Sequence, residues 1–387
     1  MKITDYVSYI GVSDNDIDLF ESQHSVPNGI TYNSYIIQDK KSAIIDTVDI
    51  KFFDEWISNI KNILGDNTPD YLIIQHMEPD HSANIDNFIK LYPKTKIVAS
   101  LQAFNMMKNF FNTDYPENKI VICDKDTLCL GQHTLTFLTA PMVHWPEVIV
   151  TYDNFDQILF SADAFGSFGN PEKISLDKIW PDEARRYYIG IVGKYGAQVQ
   201  SLLKKVSNLT IQKICSSHGP LLTENFSYYI NLYNTWSSYL PENEGIMIAY
   251  TSIYGNTKKA VDILANKLRS KNISDISIFD LARCDMSEAI ISAFKYKKII
   301  LATQTYNSDI FPPMKRFING LIDRNFQNHT VGIIENGSWA PVAAKIIQGY
   351  LEKNKNINIL NNIIHIKSSL NQENINQLDL LTDEISK

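Results

Sequence analysis

The chain has 387 residues, enough for two or three domains, and its 44% hydrophobic and 20% charged residues are an ordinary globular balance. A net charge of −7 with no basic block argues against nucleic acid as a partner. The segment from Met1 to Tyr6 has no apolar stretch of the secretory kind, and no apolar run reaches membrane-spanning length, so a cytoplasmic protein is expected. Cys123, Cys129, Cys215 and Cys284 include no Cys-x-x-Cys pair. That argues against a disulfide framework, a structural zinc site and a rubredoxin-type iron centre, and leaves buried reduced thiols as the expectation for all four.

Tyr32 to Ile37 and Ser42 to Asp46 have the composition of paired strands. Phe52, Phe53, Trp56, Ile57, Ile60 and Ile63 recur at helical spacing through Leu64. The apolar run Tyr71 to Ile74 then leads into Gln75-His76-Met77-Glu78-Pro79-Asp80-His81-Ser82. His76, Glu78, Asp80 and His81 put two imidazoles and two carboxylates just past a strand end, where rigid scaffolds hold chemistry. Alternate positions of an extended backbone share a side, so His76, Glu78 and Asp80 can converge. His81 can join them from the turn into a helix over 84–91.

Lys96 to Ala99 is a further strand and Leu101 to Phe111 a helix. Strand-like stretches follow at 120–123, 127–130, 133–138 and 148–152, with Pro141 to Glu147 between the last two. Ile158 to Asp163 ends in a carboxylate, Arg185 to Val206 reads as helix, and Ile211 to Cys215 runs into Ser-Ser-His218. His144, Asp163 and His218 thus sit where strands give way to turns. Singly each reads as a structural polar group. Together with the first motif they make four His and three carboxylates, enough for two metal ions with one carboxylate shared.

The helix 226–239 is broken by Leu240 to Gly245, the expected linker. Beyond it, strands and helices alternate regularly. Strands are expected at 246–250, 276–279, 298–302, 331–334 and within 357–366, and helices at 257–269, 287–294, 312–322, 341–351 and 372–385. Such alternation predicts a doubly wound parallel sheet of five strands. Between its first strand and first helix lies Thr251-Ser252-Ile253-Tyr254-Gly255-Asn256-Thr257, a turn rich in hydroxyls and backbone N–H groups at a helix N-terminus. It lacks both Gly-x-x-x-x-Gly-Lys and Gly-x-Gly-x-x-Gly, so a phosphate monoester such as FMN fits better than a nucleoside triphosphate or a dinucleotide. Thr305-Tyr306-Asn307-Ser308 and Asn336-Gly337-Ser338-Trp339-Ala340 follow later strands at the same sheet edge and suit an isoalloxazine ring.

The first motif is close to the His-x-His-x-Asp-His signature of the metallo-β-lactamase fold, with Glu78 replacing the second His. His-x-Glu-x-Asp-His resembles the flavodiiron proteins. Carboxylate oxygen suits iron better than the redox-silent zinc of hydrolases. The resemblance runs through essentially the whole chain. It implies a metallo-β-lactamase-like αββα domain over 1–243, α+β in class, and a flavodoxin-like α/β domain over 244–387 that binds FMN. It assigns His76, Glu78 and His144 to one iron, Asp80, His81 and His218 to the other, and Asp163 to the bridge. His24 resembles a histidine lying behind the ligands, and Trp145 and Tyr188 are candidates to line the pocket.

The implied activity is reduction of O2 to water, of NO to N2O, or of both. No rubredoxin or flavin reductase module follows before Lys387, so an external donor is expected, rubredoxin first and a reduced deazaflavin second. A head-to-tail homodimer, or a dimer of dimers, is implied. Two other readings stay open: a hydrolase of the same fold fused to a flavodoxin module, and an electron carrier that reduces no gas.

Overall fold

A computed structural model describes residues 1–176 and 178–387. The described chain separates into two compact units, Met1–Asn234 and Thr235–Lys387.

The first unit is built on two facing sheets. One has the strand order Val7–Tyr9, Tyr35–Gln38, Ser42–Ile45, Tyr71–Ile73, Lys96–Ser100, Lys119–Ile122. The other runs Thr127–Cys129, Thr134–Thr139, Ile149–Asp153, Ile158–Phe160, Lys213–Cys215. Side chains alternate across a strand, so Ala43 and Ile45 point into the space between the sheets. There they join Ile73, Val98, Phe137, Ile149 and Phe160 in one core. The neighbouring Ile44 and Leu72 are equally buried, on the opposite faces of their strands. Apolar residues on both faces explain why these strands read as continuous hydrophobic runs. Two small two-stranded sheets escaped the sequence reading: Val12–Asp14 with Ile30–Tyr32, and, within the segment that joins them, the hairpin Leu19–Phe20 with His24–Ser25.

The second unit has the parallel order Ile276–Asp280, Asn243–Tyr250, Tyr296–Tyr306, Thr330–Asn336, then a fifth position in two pieces, Asn358–Ile359 and Ile364–Ile366. This is the 2-1-3-4-5 order of flavodoxin-like sheets. The third strand is longer than expected: Thr305 and Tyr306 belong to it, and Asn307 and Ser308, at φ 51° and 60°, turn it back into Asp309–Ile310. Positive φ at two successive residues is the two-residue hairpin geometry that asparagine tolerates. Among the described residues no helix is long and apolar enough to cross a membrane.

His329 sits at the start of the fourth strand, buried and stacked on Phe326 with ring centroids 4.2 Å apart. Burial pushes its imidazole down to about 4. The unfolded chain, with an ordinary histidine near 6.5, takes up the proton first. The stabilisation is therefore present above about pH 6.5 and is lost as pH falls through 4, a loss of about 3 kcal/mol when complete. Urea unfolding of this unit at pH 7 and pH 4.5 should show most of that loss, and His329→Phe should flatten it. An equal pH response in the variant would remove His329 as the cause.

Candidate functional site

The strand Tyr71–Ile73 delivers Gln75 and His76 into the space at its carboxyl end. Asp46, at φ 55°, accepts from the Gln75 backbone N–H at 2.7 Å and from its side-chain amide at 3.1 Å, which fixes the exit direction. Pro79–Ser82 is one short helical turn that presents Asp80 and His81. Both the N–H and the hydroxyl of Thr47 donate at 2.8 Å to the His81 carbonyl. His144 comes from the loop between Thr134–Thr139 and Ile149–Asp153, Asp163 from beyond Ile158–Phe160, and His218 from beyond Lys213–Cys215. Gly219, at φ +77°, follows His218 directly, and an added Cβ there would lie 2.2 Å from the Ser167 Oγ.

All seven side chains converge, in two groups. His76 Nε2, His144 Nε2 and Glu78 Oε2 lie 3.0–3.2 Å from one another, and Asp163 Oδ2 is 3.4 and 3.1 Å from the two imidazoles. In the second group His81 Nε2 and His218 Nε2 are 3.0 Å apart, and Asp80 Oδ2 is 3.5 and 3.3 Å from them. Asp163 Oδ1 faces that pair at 3.3 and 3.7 Å. One carboxylate therefore turns one oxygen to each group. Metal–ligand bonds of ~2.1 Å put neighbouring ligand atoms ~3.0–3.4 Å apart, close to the 3.0–3.7 Å found. Both oxygens of Asp80 and of Asp163 are buried without a hydrogen-bond partner, and such groups call for a cation.

The electrostatics agree. Burial opposes charge on His81 and His144, but Asp163, with Asp80 beside His81 and Glu78 beside His144, overrides it and holds each imidazole up at about 9. Burial likewise opposes charge on Asp163, and the surrounding imidazoles keep it ionised far below the ordinary range. A bound cation would displace these protons.

Aromatic rings wall the centre. Trp145 meets His76 edge-on at 5.2 Å, while Phe20 and Tyr187 lie 5.4 and 5.3 Å from His218. Tyr187 was missed by the sequence reading, which chose its neighbour; Tyr188 packs on Tyr233 at 5.1 Å. His24 is buried against Phe168, and its ring occupies the space that a side chain on Gly190 would need. A third grouping, His133 with Asp153 and Asp156, is closed by its own contacts: His133 Nδ1 is 2.9 Å from Asp153 Oδ2, and the Thr4 hydroxyl donates to Asp156.

The second unit holds a cleft of about 480 Å³ at the carboxyl edge of its sheet. Ser252, Ile253, Tyr254, Asn256 and Thr257 line it from the first turn, Thr305 to Ser308 from the second, and Asn336 to Ala340 from the third. Thr251 and Gly255 stay outside the lining and shape the turn. Thr251 is buried with its hydroxyl 2.7 Å from that of Thr303. Gly255 takes φ +88° where the helix Asn256–Ser270 begins, and Ser252 Oγ accepts from the N–H groups of Gly255 and Lys258 at 3.1 and 3.2 Å. Two lining residues were not foreseen, Gln304 and Ser368. With its amide oriented to satisfy both neighbours, Gln304 donates to the Thr251 carbonyl at 3.1 Å and accepts from the Ile253 N–H at 3.0 Å, bracing the turn from the neighbouring strand. Tyr254 and Trp339, at the rim, are 91% and 92% exposed.

Comparison with known proteins follows this division. The ODP family beta lactamase model matches residues 30–219, and the flavodoxin domain model matches residues 247–359. An uncharacterized protein of Methanocaldococcus jannaschii is 29% identical over 323 residues, 82% of this chain and 80% of its own length. An anaerobic nitric oxide reductase flavorubredoxin of Salmonella paratyphi B is 28% identical over 345 residues, 86% of this chain and 71% of its own length. Among solved structures, the rubredoxin oxygen:oxidoreductase of Desulfovibrio gigas has a TM-score of 0.93 at 23% identity, over 100% of this chain and 97% of that one. The flavodiiron protein of Giardia intestinalis gives 0.92 at 23% identity, over 100% and 95%.

Proposed function

Taking the chain as a flavodiiron protein, whose pair of domains it carries in the same order, we propose that it is an oxidoreductase that reduces O2, NO or both. The observation that carries this reading is Asp163, with one oxygen turned to each imidazole–carboxylate group at 3.1–3.7 Å. In this reading residues 1–243 hold the metals and 244–387 the flavin. His76, Glu78 and His144 would hold one iron, Asp80, His81 and His218 the other, with Asp163 shared between them. The cleft would hold FMN, with the Ser252–Thr257 turn to receive its phosphate and Tyr306, Trp339 and their neighbours to receive its ring.

Bound there, the iron pair supplies two electrons and the flavin two more, enough with four protons to take O2 to two waters, or, as two electrons and two protons, to take two NO to N2O and water. The chain's own contribution is geometry and charge. Glu78, Asp80 and Asp163 set three carboxylates against two cations. Trp145, Phe20 and Tyr187 keep an apolar wall around the imidazoles. Burial, with the nearby Asp163, Glu78 and Asp80, keeps the Tyr187 hydroxyl protonated, a neutral donor beside His218.

The electron donor in this reading is rubredoxin or a functional equivalent. The exposed Tyr254 and Trp339 support a head-to-tail homodimer that covers the flavin edge. Of the four thiols expected to be buried only Cys215 is; Cys123 and Cys129, on and beside short surface strands, are exposed and unpaired, which supports a reducing, cytoplasmic setting. One experiment tests the core of the proposal: anaerobic turnover of the reduced protein with O2 and NO separately, with iron, zinc and flavin measured on the same sample. Iron, FMN and turnover of either gas are expected. Two zinc ions and no iron would favour the hydrolase reading, and bound flavin with no gas consumption would favour the electron carrier.

A further inference from the structure

We infer that Glu147 is a positioning residue that makes the two halves of the metal centre unequal, an inference that rests on the diiron reading above. Glu147 lies 71 positions from His76, and its side chain is fully buried. Its Oε1 accepts from the Met77 N–H at 2.7 Å and stands 2.8 Å from His76 Nδ1. A carboxylate only accepts, so Nδ1 carries the proton and Nε2 is left to face Glu78, His144 and Asp163. The Ser100 hydroxyl donates to the Glu147 carbonyl at 2.9 Å and pins the loop that carries it.

Among the described residues no carboxylate hydrogen-bonds a ring nitrogen behind the other half; the buried Asp46 acts on His81 only through space, both its oxygens being taken by Gln75. His218 Nδ1 is backed by the neutral Thr31 carbonyl at 2.7 Å, and His81 Nδ1 has no hydrogen-bond partner among the described residues. A carboxylate behind a ligand imidazole raises its basicity and, in a buried site, favours the higher charge on the ion it holds. The His76 half is therefore the one in which ferric iron is the more stabilised.

Glu147→Gln keeps the size of the side chain and an oxygen for both N–H groups but removes the charge. Glu147→Leu removes the acceptor as well. Iron per chain and the two one-electron midpoint potentials of the centre, followed by EPR, are the readouts. Glu147→Gln should load iron like the parent while the lower potential rises and the gap between the two narrows. Glu147→Leu should weaken metal binding in one half by 10–100-fold, giving about one iron per chain, with Gln restoring the second. Unchanged potentials in Glu147→Gln overturn the inference, as does loss of both ions in equal measure from Glu147→Leu. Should Glu147→Leu fail to fold, the potentials of Glu147→Gln decide. A parent protein without iron sinks the diiron reading alone. Zinc stoichiometry then decides for Glu147, with one ion fewer in Leu than in Gln supporting its role and equal binding overturning it.

Discussion

Replacing Asp163 by alanine should empty both metal positions at once and reduce gas turnover by more than 100-fold, while flavin content stays at the parental level. The expectation follows from the division of its two oxygens between the two groups. The His76–His144 pair sees Oδ2, and the His81–His218 pair sees Oδ1. Residues that merely support a ligand cost 10–100-fold when lost, so a residue shared by both positions should exceed the upper end of that range. Without Asp163, two cations a few ångströms apart would also lose the anion between them, and their repulsion in a buried site is costly. Iron and flavin analysis of the purified variant, with turnover on each gas, reads the result. A variant that keeps a full complement of iron would show that Asp163 is a bystander. Asp163→Asn separates charge from shape: it should also lose metal, because an amide neither bridges nor neutralises as a carboxylate does.

How far the sequence led depends on whether a residue's role is local. The candidate ligands were legible as a group because four of them occupy one run, Gln75–Ser82, and because His144, Asp163 and His218 each mark an element boundary. That they meet is a property of the two facing sheets, whose strand ends all open onto one space. Glu147 had no local mark. In Pro146-Glu147 it reads as an ordinary loop carboxylate, and only the fold brings it against a histidine 71 positions away. Tyr187 was lost to its neighbour for a different reason. The stretch 185–206 reads as one continuous helix, but it is a helix Trp180–Tyr187, a π turn Tyr188–Val192, a 3-10 turn and a second helix from Gly196. One residue is about 100° around a helix, so periodicity alone could not say which tyrosine faces His218. In the second unit the turn after the first strand was plain from its composition. Gln304 was hidden because the strand Tyr296–Tyr306 outruns the apolar segment that announced it. Ser368 was hidden because the fifth strand position is split in two, which blurred where that strand ends.

The second large effect is expected at Asn336, which ties the third edge of the flavin cleft to the segment after the fifth strand. Its Oδ1 accepts from the Ser368 N–H and its Nδ2 donates to the Ser368 carbonyl, both at 3.1 Å. The same amide reaches the Thr257 hydroxyl, in the first turn, at 3.5 Å. One side chain therefore holds three walls of the cleft in register before any ligand arrives. Asn336→Leu keeps the volume but removes the reciprocal pair. Two hydrogen bonds are worth about 2 kcal/mol together, so flavin affinity should fall roughly 30-fold as the ligand must order the walls itself. Titration of flavin-free protein with FMN, followed by loss of flavin fluorescence, measures it. Metal content should not change, which makes the variant the mirror image of Asp163→Ala. If Asn336→Leu bound FMN as tightly as the parent, the cleft would not depend on this tie; if it lost metal as well, the residue would serve the whole chain and not the flavin edge.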